Sequence, residues 1–385
     1  TGGEKMESNK KLEYVQIAVP SIGIEEFEAV RKPLESRWLT QGVYVKQFEE
    51  NFSKLHKVKY SVATTSCTTA LHLMLVAGGI KPGDEVIVPS FTWVATANTV
   101  LQVGALPVLV DIDINTYLIS FESILQKITK KTRAIIVVSL FGLCVDIKSL
   151  RALIPENIKI FEDAACSVGS SLNHDMAGSL ADASAFSFHP RKVITTGEGG
   201  MLCTNDKKIA KLAQILRSHG AEISEESRHF GSKPYILPDF KNAGFNYRMT
   251  DIQASIGVAQ LAKINKILNE RQTRAEFYLK NMSDLEWVKL PFHDEMQYTQ
   301  NWQSFVLRIE TKNSKVIRNN ILQSLHSHGI ASRPGTHAIH RLSYFQKNLD
   351  FNSRLLSNSS KAYENTVSLP LHHELTSINQ ELIIE

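Results

Sequence analysis

Residues 183–204 read Ala-Ser-Ala-Phe-Ser-Phe-His-Pro-Arg-Lys-Val-Ile-Thr-Thr-Gly-Glu-Gly-Gly-Met-Leu-Cys-Thr. This stretch holds two short apolar runs, Ala183–Phe188 and Gly200–Thr204, each of a length typical of a buried strand. Too few residues separate them for a crossover helix, so we expect a loop that could join an antiparallel strand. The loop contains Lys192 and ends in glycines, which would let the backbone pass close to a bound ligand.

The chain before this stretch alternates strand-like and helical patterns. The further strand candidates are Tyr60–Thr64, Glu85–Pro89, Pro107–Asp111, Ala134–Leu140 and Ile158–Glu162. The helical patterns between them are Thr69–Ala77, Thr96–Val103, Phe121–Ile128 and Ile147–Leu153. Such alternation predicts an α/β fold in which a mostly parallel, seven-stranded sheet is covered by helices on both faces.

The remaining patterns predict a division into two domains. After the sheet we expect a helix over Lys207–His219, an irregular excursion over Ala221–Ala243 and a helix that begins at Thr250 and passes Leu268. The strands Ser304–Ile309 and Ile330–Ser332 with the helix Ser314–His328 suggest a small α+β unit. We therefore assign residues 1–19 to an N-terminal tag remnant and lead-in, 20–282 to a large cofactor-binding domain and 283–385 to a small C-terminal domain.

The composition excludes several classes of protein. Among 385 residues, 43% are hydrophobic and 21% charged, and the net charge of +4 comes from basic residues scattered along the chain. This distribution argues against a nucleic-acid groove, and no apolar run is long enough for a membrane span. The four cysteines form no CxxC pair or zinc spacing, so we expect no metal site and a reducing, cytoplasmic location.

Residues of distinct chemistry follow several predicted strands. Ser66–Thr69 offers hydroxyls before a helix, Trp93 an aromatic ring, Asp163 a carboxylate and Lys192 an amine. Because the carboxyl ends of parallel strands meet at one edge of a sheet, we expect these groups to lie together. Alternation along the strand should turn Glu162 to the opposite face, so Asp163 is the better candidate of the two acids.

This set of groups meets the needs of pyridoxal phosphate. A helix start binds the phosphate, a flat aromatic side chain stacks on the ring, and a carboxylate keeps the ring nitrogen protonated. A lysine forms a Schiff base with the aldehyde and then transfers protons. Each residue also has a simpler interpretation, namely a plain N-cap, a core tryptophan, a solvated turn acid or a surface lysine. Their order on successive strands favours the cofactor.

From about Pro20 the chain resembles the DegT/DnrJ/StrS-type sugar aminotransferases, which are fold-type I pyridoxal phosphate enzymes. The resemblance is carried by motifs in the family's order, among them Trp38–Gly42, Thr68–Leu73, Pro82–Trp93, Glu162–Ala165, Ser187–Lys192, Gly197–Met201, Gly244–Asp251 and Leu369–His372. It implies a large domain with a mostly parallel sheet and a smaller C-terminal α+β domain. The sequence around Lys192 is most similar to members of the GDP-perosamine synthase type.

The resemblance implies a role for each matching residue. The catalytic residues would be Lys192, which holds the aldehyde, and Asp163, which faces the ring nitrogen. The remaining cofactor-binding residues would be Trp93 on the ring, the N–H of Cys67, Thr68 and Ser187 at the phosphate, Cys166 near the ring hydroxyl, and Asn246 at the phosphate of a neighbouring subunit. The last role implies a homodimer with shared active sites.

Three positions depart from the family's usual residues. Cys67 stands where many relatives have glycine, so only its backbone N–H can be carried over. Cys166 replaces glutamine or histidine, and a thiol hydrogen-bonds poorly. Ser139 stands where relatives often have histidine before a Leu-Phe-Gly turn. The contact of Cys166 with the cofactor is the role that these departures put most in question.

The resemblance implies an aminotransferase that moves an amino group from an amino acid, glutamate by analogy, to a nucleotide-linked 4-keto-6-deoxy sugar in polysaccharide biosynthesis. A related branch carries histidine in place of the lysine and removes a hydroxyl group, which Lys192 argues against. The alternatives are a small phosphorylated ketone as acceptor and a non-catalytic dimer of the same fold. A nicotinamide dehydrogenase is disfavoured because no Gly-x-Gly-x-x-Gly follows the first strand. Candidate substrate contacts are His189, Arg191, Arg333, His337 and His340.

Overall fold

A twisted seven-stranded sheet forms the centre of the molecule. The computed structural model describes residues 14–223, 229, 231–232, 235–237 and 239–385. The strands in the first part of the chain are β1 (Tyr60–Thr64), β2 (Glu85–Pro89), β3 (Leu106–Val110), β4 (Thr132–Val138), β5 (Lys159–Asp163), β6 (Ser171–Leu172), β7 (Asp175–Met176), β8 (Ala183–Ser187) and β9 (Gly200–Thr204). The large sheet has the order β1-β9-β8-β5-β4-β2-β3. This confirms the predicted α/β fold.

Strand β9 is antiparallel to both of its neighbours, β1 and β8, whereas the other pairs in the sheet are parallel. The segment with Lys192 is therefore a loop between two adjacent antiparallel strands, as its length predicts. Both ends of that loop are anchored in the middle of the sheet. The lysine thus lies between two strands that cannot move apart without breaking the ladder.

Helices cover both faces of the sheet. They are α1 (Ile24–Ser36), α2 (Val43–His56), α3 (Cys67–Ala77), α4 (Ala95–Gln102), α5 (Phe121–Lys127), α6 (Ile147–Leu153), α7 (Lys207–Leu216), α8 (Asp251–Ala262), α9 (Ile264–Asn281), α10 (Ser314–Ser327), α11 (Ser343–Asn348), α12 (Ser357–Asn365) and α13 (Ser377–Ile384). Central strands are apolar on both sides: in β5, Phe161 packs into the cluster with α3 while Ile160 packs into a different cluster. This double burial explains why the strands lack an alternating polar face.

The C-terminal part forms a small sheet of its own. Strands β10 (Val288–Lys289), β12 (Phe305–Ile309) and β13 (Thr366–Leu369) pair in that order, and β11 (Tyr298–Thr299) joins the hairpin of β6 and β7. The predicted strand Ile330–Ser332 is wrong: only single bridges flank it, from Val15 to Ile330 and from Arg333 to Ser368. The backbone here pairs first with Val15 and then with Ser368, which belong to different segments, so it forms no continuous ladder with either. The domain boundary at residue 282 stays a prediction.

Two predicted helices end earlier than their patterns suggest. The helix from Lys207 stops at Leu216, because His219 and Gly220 adopt positive φ angles of 59° and 86° and cannot continue a right-handed helix. The pattern from Thr250 is interrupted at Lys263, which divides it into α8 and α9. Parts of the predicted excursion over residues 221–243, and Thr1–Lys5 of the tag remnant, lie outside the described residues.

Within the described ranges, no helix combines the length and the apolar character that crossing a bilayer requires.

Candidate active site

The predicted groups meet at one edge of the large sheet. Strands β1, β2, β5 and β8 all end there, and β9, which runs in the opposite direction, begins there. The ends of these strands carry the start of α3, Trp93, Asp163 and the Lys192 loop. The topology thus brings together residues that are widely separated in sequence.

Asp163 is a buried carboxylate at the end of β5. Its side chain is 5% exposed and accepts hydrogen bonds from the Thr96 hydroxyl at 2.8 Å and from the Ala165 N–H at 3.2 Å. Burial raises the pKa of Asp163, while Thr96, Ala165 and Lys192 lower it. A buried carboxylate with only these neutral hydrogen bonds is well suited to a cation placed beside it.

Glu162 lies on the opposite face of the sheet, as strand alternation predicts. Its oxygens accept hydrogen bonds from the Ser139 hydroxyl at 2.6 Å and from the Gly178 N–H at 2.7 Å. Burial raises the pKa of Glu162 to about 6, an effect that these two hydrogen bonds oppose. Ser139 therefore serves a structural role on the far face.

Lys192 approaches the same edge from the loop between β8 and β9. Its Nζ donates a hydrogen bond to the Cys166 sulfur, 3.2 Å away, and its backbone N–H donates to the His189 carbonyl at 2.8 Å. The Thr195 hydroxyl donates to the Phe188 carbonyl, and Gly197 has a φ angle of +83°, which glycine adopts without strain. The loop is thus held tightly while the amine of the lysine stays at the site.

A segment from the C-terminal part secures this loop. The Gln303 side chain accepts a hydrogen bond from the Val193 N–H at 3.0 Å and donates one to the Arg191 carbonyl at 2.7 Å. Asn301 donates from Nδ2 to the carbonyls of Cys166 and Val168, at 2.8 and 2.9 Å. The segment 301–303 therefore fixes the backbone on both sides of Lys192 and the turn after Asp163.

Sequence reasoning missed Thr96, Asn301 and Gln303. Thr96 lies one helical turn after Trp93, a position at which a hydroxyl could have suggested a contact with the site. Asn301 and Gln303 flank a tryptophan ahead of a strand, and nothing in that pattern points to a site more than a hundred residues earlier. Their partners become evident only from the packing of the C-terminal part.

The start of α3 has backbone N–H groups that the capping residues leave unused. The Ser66 hydroxyl caps the helix by accepting from the Thr69 N–H at 3.1 Å, and the Thr69 hydroxyl in turn accepts from the Ser66 N–H at 3.0 Å. This capping box leaves the N–H groups of Cys67 and Thr68, the first two of the helix, free of a helical acceptor. Both point outward from the positive end of the helix dipole.

Gly200 lies directly against this helix start. Gly200 pairs with Ser187 on one side and Thr64 on the other, and a Cβ at this position would lie 2.3 Å from the Ser66 carbonyl oxygen and 2.6 Å from the Cys67 nitrogen. Only glycine permits the turn before α3 to lie directly against β9. Ser187, which pairs with Gly200 on the other side, is buried with 7% of its surface exposed at the same edge of the sheet.

Trp93 and His337 line the opening of the site. Trp93 is 57% exposed, and its ring lies edge-on to that of His337 with centroids 5.4 Å apart. The Thr92 N–H donates to the His337 carbonyl at 3.1 Å, and the Nδ1 of His337 is buried without a hydrogen-bond partner. An exposed aromatic face and an unsatisfied ring nitrogen are both available to a ligand.

The other predicted contacts have different surroundings. His189 is half-buried beside the lysine loop, and burial lowers the pKa of its imidazole. Arg191 and Arg333 line one small cavity. His340 is 3% exposed, and its two ring nitrogens hydrogen-bond to the hydroxyls of Ser90 and Ser360. With both nitrogens engaged in the protein interior, His340 is not placed to contact a substrate.

Asn246 is exposed and forms a bridge with Ser218 near the end of α7. The following residues hold it there: the Tyr247 carbonyl accepts from the Thr65 N–H at 3.0 Å, and Arg248 forms a bridge with Thr64. An exposed amide next to the helix start fits a contact with a second subunit, which stays a prediction.

The donor set fits pyridoxal phosphate. Asp163 would pair with the protonated ring nitrogen, Lys192 would bind the aldehyde, and the N–H groups of Cys67 and Thr68 with Ser187 would receive the phosphate. The buried carboxylate, which forms no ion pair within the described residues, and the uncapped helix N–H groups are the two observations that such a group would satisfy. Across the described residues, no cluster of three potential metal ligands was found.

Comparisons with known proteins show the family to which the chain belongs. Residues 20–385 match the family described as the DegT/DnrJ/EryC1/StrS aminotransferase family. The "Spore coat polysaccharide biosynthesis protein SpsC" of Bacillus subtilis (strain 168) is 33% identical over 379 residues, which cover 98% of this chain and 97% of that protein.

Two solved structures are similar over almost their whole length. Spr1654 of Streptococcus pneumoniae, described as a candidate sugar aminotransferase and solved in PLP and PMP forms, has a TM-score of 0.89. In its PMP form it is 30% identical, with 97% of this chain and 96% of that chain covered. Helicobacter pylori PseC, an "aminotransferase involved in the biosynthesis of pseudoaminic acid", has a TM-score of 0.89, 27% identity and 97% of each chain covered.

The match across almost the whole chain and the arrangement of Lys192, Asp163 and the start of α3 lead to the same assignment. The cofactor is pyridoxal phosphate, and the chain belongs to the DegT/DnrJ/EryC1/StrS aminotransferase family of fold-type I enzymes.

Proposed function

We propose that this enzyme transfers an amino group from glutamate to a nucleotide-linked 4-keto-6-deoxy sugar. The observation that carries the aminotransferase chemistry is the convergence of Lys192 and the buried Asp163 at one edge of the sheet. The sugar is supported by relatives described as acting in spore coat polysaccharide and pseudoaminic acid biosynthesis. Its nucleotide and its 4-keto position rest on the resemblance of the Lys192 segment to perosamine synthases.

In this proposal, bound pyridoxal phosphate supplies the aldehyde that accepts the amino group and a ring that withdraws electrons from the reacting carbon. Lys192 takes the proton from the α-carbon of the amino acid and later delivers a proton to the carbon of the keto sugar. Asp163 stays ionised and holds a proton at the ring nitrogen. Thr96 orients the carboxylate of Asp163, and Gln303 keeps the backbone of Lys192 in place.

We also propose a homodimer in which Asn246 completes the phosphate site of the neighbouring subunit. Its exposure beside the start of α3 supports this arrangement. Trp93, with its exposed ring, would cover one face of the cofactor, and the unpartnered His337 would lie on the acceptor side. All four cysteines are free thiols, and we keep the cytoplasm as the proposed location.

Two alternatives differ in what they require of the site. A small phosphorylated ketone would use the same lysine and carboxylate but would not need a binding surface for a nucleotide. A non-catalytic dimer would not need Lys192, Asp163 and an uncapped helix start in one place. The structure contains all three features, so we favour a catalytic role.

The test is to reconstitute the protein with pyridoxal phosphate and to follow the visible absorbance band of the cofactor. Glutamate should remove the band, and the correct keto sugar should restore it and appear as an amino sugar by mass spectrometry. Lys192→Ala should show neither change, whereas Lys208→Ala, an exposed lysine of α7, should behave like the wild type. Restoration by a phosphorylated ketone but by no nucleotide sugar would contradict the proposed acceptor.

A further inference from the structure

Two nucleophilic side chains are in contact at the end of the lysine loop. The Nζ of Lys192 lies 3.2 Å from the sulfur of Cys166, and the thiol of Cys166 is free. Both residues are half-buried, so a small solute can reach them. Relatives usually carry glutamine or histidine at the position of Cys166, and neither of these offers a sulfur atom to the amine. The pair of amine and thiol is therefore a departure of this chain.

One segment of the C-terminal part holds both members of the pair. Asn301 donates from Nδ2 to the Cys166 carbonyl at 2.8 Å, and the Gln303 side chain bonds to the backbone on either side of Lys192. Because both backbones are fixed, the lysine side chain needs no backbone movement to reach the sulfur. A reaction between groups that are already positioned is strongly favoured over the same reaction between free molecules.

The other three thiols are less able to react. Cys144 and Cys203 are buried, and burial raises the pKa of Cys144 well above its usual range and that of Cys203 to about 12. Cys67 packs against the core cluster that contains α3, where desolvation and, to a smaller extent, the Asp163 carboxylate raise the pKa of its thiol. The thiolate is the form that an oxidant attacks, so these three are held in the unreactive form. Oxidation should therefore begin at Cys166.

We propose that peroxide oxidation joins Cys166 to Lys192 through a covalent sulfur–nitrogen bond, which reversibly removes the amine that holds the cofactor aldehyde. This modification goes beyond the proposed aminotransferase function and rests on it only for the consequence at the cofactor. The oxidant is hydrogen peroxide, a small neutral molecule that can enter beside the half-buried thiol.

The reaction has two balanced steps. In the first, the sulfur of Cys166 bonds to one oxygen of hydrogen peroxide, the O–O bond breaks, and a sulfenic acid and water form; the sulfur loses two electrons, which the peroxide gains. In the second, the lone pair of the Lys192 nitrogen attacks that sulfur, the S–O bond breaks, and the hydroxyl leaves with one proton of the amine as water. Sulfenic acids undergo the same condensation with backbone nitrogen. Two molecules of a thiol reductant reverse it, because they return one hydrogen each to the sulfur and the nitrogen and become a disulfide.

The link also changes the fate of the oxidised cysteine. Without a nitrogen within reach, a sulfenic acid is oxidised further to sulfinic acid, which thiols do not reduce. Lys192 therefore keeps Cys166 in a form that the cell can recover. Cofactor bound to the same nitrogen would prevent the link, so the protein without cofactor is the sensitive form.

The test uses the full-length protein with and without saturating pyridoxal phosphate, each treated with hydrogen peroxide. The protein is then denatured, its free thiols are alkylated, and an arginine-specific protease separates Cys166 from Lys192 by cleavage after Arg191. Mass spectrometry searches for these two peptides joined, lighter than their sum by two hydrogen atoms. Cys203 lies in the same peptide as Lys192 and must carry the alkyl group, which distinguishes the sulfur–nitrogen bond from a disulfide.

We expect the linked peptides in the protein without cofactor and few of them in the loaded protein. Cofactor added after the oxidation should fail to develop its visible band until dithiothreitol is supplied. Lys192→Ala should accumulate sulfinic acid at Cys166 instead. Cys166→Ser should bind as much cofactor after peroxide as before it, and Lys208→Ala, an exposed lysine of α7, should form the link as the wild type does.

Two results would overturn the inference, both read in the wild type without cofactor at a peroxide concentration that fully oxidises Cys166 in Lys192→Ala. One is the absence of linked peptides, with Cys166 present as free thiol or as sulfinic acid. The other is a disulfide between Cys166 and Cys67, which loses the same two hydrogen atoms but joins different peptides. Equal linking with and without cofactor would establish the bond and contradict only the proposed role of Lys192, so the two ideas fail separately.

Discussion

The amine of Lys192 lies 3.2 Å from the sulfur of Cys166. A thiol is a weak hydrogen-bond partner, so this contact contributes little to the position of the lysine. The Cys166 carbonyl, in contrast, accepts a firm bond from Asn301 at 2.8 Å. The backbone around Cys166 is thus held independently of its side chain.

We therefore expect Cys166→Ala to lower the affinity for pyridoxal phosphate by less than about tenfold, since only one weak hydrogen bond is lost. Asn301→Ala should have a larger effect, because it also releases the Val168 carbonyl and the Gln303 N–H. Titration of the apoprotein with cofactor, followed by absorbance, measures both. Equal losses for the two variants would show that the thiol itself supports the cofactor.

Asp163→Asn should separate catalysis from stability. Loss of the charge beside the ring nitrogen should reduce the rate of the glutamate half-reaction about 100-fold or more, in the range seen when an electrostatic contact at a reacting centre is removed. The apoprotein should melt at the same temperature or higher, because a desolvated carboxylate becomes neutral and the Thr96 hydroxyl can accept from the amide. Calorimetric melting and stopped-flow absorbance test the two effects, and a large drop in melting temperature would contradict this account.

Gln303→Ala should loosen the loop that carries Lys192 without removing any of the groups that bind the cofactor. The variant loses the hydrogen bonds to Val193 and Arg191 and leaves a buried N–H unsatisfied, at a cost of about 1–3 kcal/mol. We expect a lower melting temperature and faster amide exchange at Val193, measured by hydrogen exchange. Gln346→Ala, an exposed glutamine of α11, is the control. Exchange at Val193 that matches the wild type would exclude Gln303 as the anchor of this loop.

The buried His56 makes stability depend on pH. Its ring is fully buried, its Nδ1 lies 2.8 Å from the Ala177 carbonyl and its Nε2 accepts from the Gly169 N–H, so the neutral form fits. Burial lowers the pKa of His56 from 6.5 to about 4. Between pH 6.5 and about 4, the unfolded state therefore binds a proton at His56 that the folded state does not bind. The resulting stability is complete above pH 6.5 and disappears as the pH falls from 6.5 towards 4.

Between pH 7 and pH 5 this one group should reduce the free energy of unfolding by about 2 kcal/mol. Melting temperatures at the two pH values, compared between the wild type and His56→Gln, measure the contribution. The variant should lose less on acidification than the wild type, while His326→Gln, on the exposed face of α10, should keep the wild-type dependence. Equal pH dependence in the wild type and His56→Gln would show that His56 does not resist protonation.

The sequence predicted the sheet and the residues at its edge because both follow from local patterns. Asp163 ends an apolar strand and Lys192 lies in the loop that follows another, and parallel strands bring their ends together. The contacts of Thr96 with Asp163 and of Gln303 with Val193 join residues 67 and 110 positions apart. No local pattern encodes such pairs, since they arise only when distant elements pack.

Other differences have equally specific causes. His340 was named as a candidate substrate contact, but its side chain turns inward to Ser90 and Ser360, which its neighbours in sequence do not reveal. Helix α1 was not predicted, and it continues through Pro33. Glu26 at its start is held by Lys263 and Gln260 from the region of α8, so tertiary contacts override the local signal.

The two hydrogen bonds between Gln303 and the lysine loop also limit how the chain can be recombined. The C-terminal part supplies Gln303 and the N-terminal part supplies Lys192. A chimera that joins the N-terminal half of one relative to the C-terminal half of another would therefore take the lysine from one protein and the anchor of its loop from the other. Such a hybrid would place its lysine correctly only if the donor of the C-terminal half carries glutamine at the position of Gln303. Swapping this half to alter substrate preference should therefore be designed around that single amide.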